Sequence, residues 1–168
     1  KTLDADGRKI PGKVSEDCLF LNIYISKNAK KLAPVLVWMH GGAFKHGSAN
    51  EFDGSVLAEQ QQVVVVTLNF RVGAFGFLDF SKFGSEYLGS ASNGIQDCIL
   101  ALQWIQDNIE EYGGDPDNVT ISGESSGGTM TLGLLGCPSA YSLYHKAIAC
   151  SPTCLLYTSP SPRDSCAS

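Results

Sequence analysis

Asn118-Val-Thr-Ile-Ser-Gly-Glu-Ser-Ser-Gly-Gly128 is the stretch whose reading decides the fold. The apolar run Asn118–Ser122 reads as a strand, and the small residues from Thr129 to Leu135 read as a helix. Between them Gly123-Glu-Ser-Ser-Gly127 forms a tight turn with Ser125 at its apex, the layout of a nucleophile elbow. Glycine is needed on both sides, because a side chain at 123 or 127 would crowd the neighbouring strand and helix. The serine hydroxyl then stands above the first turn of a helix. There, backbone N–H groups and the helix dipole can stabilise an oxyanion formed when Ser125 attacks an acyl carbonyl. In a chain with 18 glycines among 168 residues a G-x-S-x-G string also arises by chance, so a second signal is needed.

That signal lies upstream. Pro34-Val-Leu-Val-Trp-Met39 is apolar on both faces, as a buried parallel strand requires, and runs straight into His40-Gly-Gly-Ala-Phe44. Small residues there let backbone N–H groups face a ligand, and a HGGG-type loop with an oxyanion donor precedes the elbow in α/β-hydrolases. Other segments fit the same order. Cys18–Ile25 alternates like a strand, and Gln62–Asn69 is a β-branched run suited to a sheet interior. A helix is expected from about Asn93 to Tyr112, with Ile95, Ile99, Leu102, Ile105 and Ile109 on one face and Gly113-Gly114 as its stop. Lys146–Ser151 resembles the start of a further strand. The alternation predicts an α/β fold with a mostly parallel central sheet and flanking helices, part of an α/β-hydrolase fold.

These motifs resemble the type-B carboxylesterase and cholinesterase family of α/β-hydrolases, in detail its bacterial para-nitrobenzyl esterase-like branch. The resemblance is carried by Ser15–Tyr24, Pro34–Phe44, Asn69–Leu78, Asn93–Asp97 with Ala101–Ile105, and Gly113–Ser125, in unbroken order. It implies that Ser125 is the nucleophile of an acyl-enzyme mechanism, with backbone N–H groups of Gly42, Ala43 and Ser126 as the oxyanion hole. Ala43 and Ser126 stand where many relatives carry glycine and alanine, and neither change removes an N–H. Arg71 and Asp97 match a family pair that forms a buried structural salt bridge. The resemblance also gives Glu124 a role in active-site polar structure and Cys18 a position that often closes a loop with an upstream cysteine.

The remaining polar residues have structural readings. His40 is expected to hold the oxyanion loop by hydrogen bonding, Phe44 to pack near the acyl pocket, His46 to lie in an exposed loop, and His145 at a strand entrance. Cys98, Cys137 and Cys150 are read as buried free thiols. Asn118-Val-Thr120 is a formal glycosylation sequon that enters a core strand, so no modification is expected.

In α/β-hydrolases the acid and then the histidine follow the serine. Here His145 is the only histidine after Ser125, and no acid lies between the two. The expectation is that residues 1–153 are the N-terminal-to-middle part of a longer hydrolase catalytic domain, inactive alone. Residues 154–168, beginning Cys154-Leu-Leu-Tyr-Thr-Ser-Pro, resemble the translated read-through of a sequencing adapter and are set apart as a non-native tail. A net charge of −5 argues against nucleic acid as a main partner, and no apolar run reaches the roughly 18 residues of a membrane span. The reading calls for a small-molecule ester substrate, no cofactor and no metal. The alternative is a non-catalytic adhesion or binding protein on the same scaffold.

Overall fold

A computed structural model describes residues 15–28 and 32–153. The proposed tail, 154–168, lies outside the described residues. One five-stranded sheet organises the rest, in the order β1 (Leu21–Tyr24), β3 (Val64–Leu68), β2 (Ala33–Met39), β4 (Gly114–Glu124), β5 (Lys146–Cys150). The β1–β3 pair is antiparallel, whereas β3–β2, β2–β4 and β4–β5 are parallel. The parallel strands are joined by helices α1 (Ser55–Gln61), α2 (Gly73–Phe77), α3 (Asn93–Asn108) and α4 (Ser126–Leu135).

Sequence chemistry explains the layers. Residues 64–68 of β3 are buried on both faces, as an interior strand demands, and Val35, Val37 and Met39 of β2 alternate with partly accessible neighbours. Against this sheet α3 lays Cys98, Leu102 and Ile105, with Ile109 just beyond its end, while α4 contributes Met130 and Leu134. The expected stripe is therefore shifted: Ile95 and Ile99 are only half-buried, and Cys98 takes the fully buried position between them. At Gly94 the helix approaches the segment after β3 closely: a methyl there would meet Phe77 Cζ at 2.5 Å and the Arg71 carbonyl oxygen at 2.9 Å.

Boundaries also moved. The α-helix stops at Asn108, and Ile109–Tyr112 tighten into a 3₁₀ turn that ends on Gly113 at φ 81°. The strand before the elbow begins at Gly114, with a register shift between Ala33 and Val35, which pair with Gly114 and Val119. The first strand shrinks to Leu21–Tyr24 because Cys18, Leu19 and Phe20 lie beyond its pairing with β3.

Candidate active site

All parallel strands point their C-terminal ends the same way, and the two motif loops leave the sheet there side by side. The loop after β2 and the turn after β4 are neighbours because those strands pair through Met39 and Gly123. At the turn Ser125 has φ 57° and ψ −121°, a backbone conformation that L-residues avoid, costing about 1–3 kcal/mol. Its surroundings hold it. The Ser125 N–H donates to the Cys150 carbonyl at 3.0 Å, and its own carbonyl accepts from the Thr129 N–H at 3.0 Å and the Thr129 hydroxyl at 3.2 Å. Thr129 in turn accepts from the Thr153 N–H at 2.8 Å, tying the segment after β5 to the elbow.

The flanking glycines meet backbone where side chains would stand. A methyl on Gly127 would overlap the Met39 carbonyl oxygen and come within 2.7 Å of the His40 carbonyl oxygen. One on Gly123 would come within 2.8 Å of the Met39 carbonyl oxygen and within 2.5 Å of the Gly127 carbonyl. The strand, the turn and the helix can approach this closely only as backbone.

The loop after β2 is equally unusual, with Gly42, Ala43 and Phe44 at φ 110°, 53° and 60° in succession. Its carbonyls are used: Gly42 accepts from the Lys45 N–H at 3.0 Å and the His46 N–H at 3.3 Å, and Phe44 accepts from the Gly73 N–H at 2.6 Å. Phe44 packs edge-on against Phe77, 5.0 Å between centroids. A methyl on Gly41 would stand 3.4 Å from Ser125 Cβ and 3.1 Å from the Glu124 carbonyl oxygen, so the two loops are in contact. Such an arrangement brings a half-buried hydroxyl beside the backbone of two loops, where a developing negative charge could be received.

Ser126 opens α4, its side chain is buried, and among the described residues its hydroxyl meets no partner. Alanine would leave no such orphan, so Ser126 is less neutral than its retained N–H suggests. Glu124 is exposed, with Oε2 close to Gly41. Arg71 and Asp97 form a bidentate pair, Nε to Oδ2 and Nη2 to Oδ1, both 2.8 Å, and the Arg71 N–H adds a third bond at 2.9 Å. The pair is only half-buried: the Asp97 side chain is 4% exposed and that of Arg71 37%. Hydrogen bonding to Asp97 raises the Arg71 proton affinity further.

The histidines part company. His40 is buried and stacked on Phe70. His46 is half-buried against Gly42 instead of lying in an exposed loop, because the chain doubles back beneath the loop. His145 sits at the entrance of β5, its N–H donating to the Val119 carbonyl and its Nδ1 accepting from the Val119 N–H. Six residues along β4 separate that point from Ser125, about 20 Å at roughly 3.3 Å per residue. Of the cysteines Cys98 is buried, with its thiol held neutral by burial, whereas Cys137 is half-buried and Cys150 exposed on the sheet edge, against expectation. Cys18 is free and half-buried among the described residues, where burial and then Asp97 raise its pKa.

The structure adds residues that the motifs did not single out. Gly47 packs against His40, and the Asn69 side chain accepts from the Ala49 N–H at 2.7 Å and donates to the Cys18 carbonyl at 2.9 Å. The spacing of Gly41, Gly42 and Gly47 around a short excursion was the available signal. An apolar groove of about 240 Å³ lies between Leu19–Leu21 and Leu100–Trp104. None of residues 40–44 or 125–126 lines it, so chemistry and not concavity locates the site.

Known proteins share the sequence and the fold. A sequence profile of the carboxylesterase family matches residues 2–167. The chain is similar to the para-nitrobenzyl esterase of Bacillus subtilis, 50% identical over 136 residues, covering 80% of this chain and 27% of that protein. It is similar to human carboxylesterase 5A, 50% identical over 138 residues, covering 80% of this chain and 23% of that one. A crystal structure of a Geobacillus stearothermophilus carboxylesterase superposes with a TM-score of 0.76 at 46% identity, over 79% of this chain and 28% of its own. The chain thus spans about a quarter of the length of the curated relatives it matches. With profile, sequence and fold in agreement, this chain belongs to the carboxylesterase family.

Proposed function

We propose that the whole protein is a carboxylic ester hydrolase whose nucleophile is Ser125. The observation that carries this reading is the serine's φ of 57° and ψ of −121° at the β4–α4 turn, in contact with the loop after β2. Strain of this kind persists only where the surroundings enforce it, and here it presents a hydroxyl above a helix N-terminus. In the proposed reaction Ser125 Oγ adds to the ester carbonyl carbon. The N–H groups of Gly42, Ala43 and Ser126 receive the oxyanion, the alcohol departs, and water releases the acid from acyl-Ser125. Among the described residues His40 Nδ1 is engaged by the Gly41 carbonyl and His145 Nδ1 by the Val119 N–H.

A small-molecule ester is the substrate class that fits. No described helix is long and apolar enough to cross a membrane, and the net charge of −5 gives polyanionic nucleic acid no electrostatic attraction. The test is labelling of the full-length protein with a fluorophosphonate. Wild type is expected to label and Ser125→Ala to remain unlabelled; equal labelling of the two would remove Ser125 as the nucleophile. An unlabelled wild type would favour a binding role for the scaffold.

A further inference from the structure

The oxyanion loop carries three successive residues at positive φ, an arrangement that is intrinsically uphill and must be held from outside. One restraint comes from His40, whose Nδ1 lies 2.8 Å from the Gly41 carbonyl oxygen. A carbonyl can only accept, so the proton sits on Nδ1. The ring cannot swing away. Phe70 stacks flat on it, 4.4 Å between centroids at an interplanar angle of 8°. From another side Gly47, at φ 125°, leaves no room for a side chain: a methyl there would overlap His40 Nδ1 and come within 2.5 Å of the Gly41 oxygen. Both partners of the hydrogen bond thus rest against the Gly47 α-carbon. Burial lowers the His40 pKa and keeps the imidazole neutral.

The Gly41 carbonyl and the Gly42 N–H belong to one planar trans peptide, so they point oppositely and rotate together. Whatever fixes the carbonyl also fixes the amide hydrogen. We infer that His40 is a positioning residue for ester hydrolysis: its Nδ1–H, seated against Gly47, aims the Gly42 N–H at the oxyanion through the shared peptide plane. This rests on the proposed role of Gly42 as an oxyanion donor. It also gives Gly47, outside the motif itself, a reason to be glycine.

The test uses the full-length protein as wild type, Ser125→Ala, His40→Phe and His40→Asn, with active sites counted by fluorophosphonate titration. Phenylalanine keeps a ring on Phe70 but has no donor. Asparagine returns an N–H close to the Nδ1 position. A misaimed donor acts on the transition state and not on substrate binding, so His40→Phe should lose about 10- to 100-fold in kcat per titrated site with KM within about twofold. His40→Asn should recover a large part of that loss. A merely structural role would reduce the number of titratable sites and leave kcat per site intact, which would overturn the inference while the esterase reading stood. Undiminished hydrolysis by Ser125→Ala would instead overturn the esterase reading, and the role of Gly42 with it. Independently of turnover, long-range proton–nitrogen spectra of the imidazole should show the Nδ1–H tautomer; an Nε2–H tautomer would overturn the proposal.

Discussion

Ser126 is a buried hydroxyl placed beside the proposed nucleophile with no partner among the described residues. Leaving such a group unsatisfied costs about 1–3 kcal/mol, while its backbone N–H is untouched by the side chain. Ser126→Ala is therefore expected to raise stability by about 1 kcal/mol in urea unfolding of the full-length protein, with fluorophosphonate labelling retained. His40 makes the opposite kind of statement, about pH. Burial, reinforced weakly by His46 and opposed by the Gly41 carbonyl and Glu51, lowers its folded pKa below the ordinary 6.5. The unfolded chain then binds the proton more readily, so stability is fully present above about 6.5 and declines as pH falls towards the folded pKa. Tm measured from pH 7.5 down to 5 should fall more steeply for wild type than for His40→Phe. Identical slopes would mean that His40 titrates normally.

Between elements, the Arg71–Asp97 pair ties the segment after β3 to the first turns of α3, and its two halves are not equivalent. Removing Arg71 strands a carboxylate whose side chain is 4% exposed, whereas removing Asp97 leaves a guanidinium that is 37% exposed and can turn to water. Breaking a buried pair costs about 3–5 kcal/mol, but the partly exposed arginine calls for a discount. We expect Arg71→Ala to destabilise by about 3 kcal/mol and Asp97→Ala by about half as much, read by urea unfolding. The reverse order would show that the arginine's other contacts dominate. This asymmetry was invisible in the sequence, where both residues read as one buried pair. By contrast the existence of β2, β3, α3 and α4 was legible, because their apolar patterns are long. The short α1 and α2 were not: each has only one buried residue, Ala58 and Gly76, so no periodic stripe announces them.

Across the molecule the apolar surface is unevenly covered. Parallel strands are normally buried on both faces, yet among the described residues β5 forms an edge with four of its five residues exposed, Ile148 among them at 51%. Phe83 and Leu88 are also largely exposed, at 77% and 72%. An unpaired edge with apolar side chains is a template for association. Isolated residues 15–153 are expected to self-associate and bind ANS, and Ile148→Lys to reduce the association in sedimentation velocity. A monodisperse monomer with a sharp two-state melt would contradict this.

The sequence by itself determined the class of fold and the identity of the apex serine, because strand periods and the glycines around a turn are local consequences of backbone sterics. It also singled out the His40–Phe44 loop by its glycines, but that this loop faces the serine follows from β2 pairing with β4 although β3 lies between them in the chain. Only the tertiary structure decided that Gly47 returns beneath His40, that Ser126 is buried with no partner among the described residues, that Arg71 reaches solvent and that Cys150 is exposed on the outermost described strand. Those are properties of packing between segments distant in the chain. Burial and contact depend on what the fold brings alongside a residue, and no pattern within a short window carries that information.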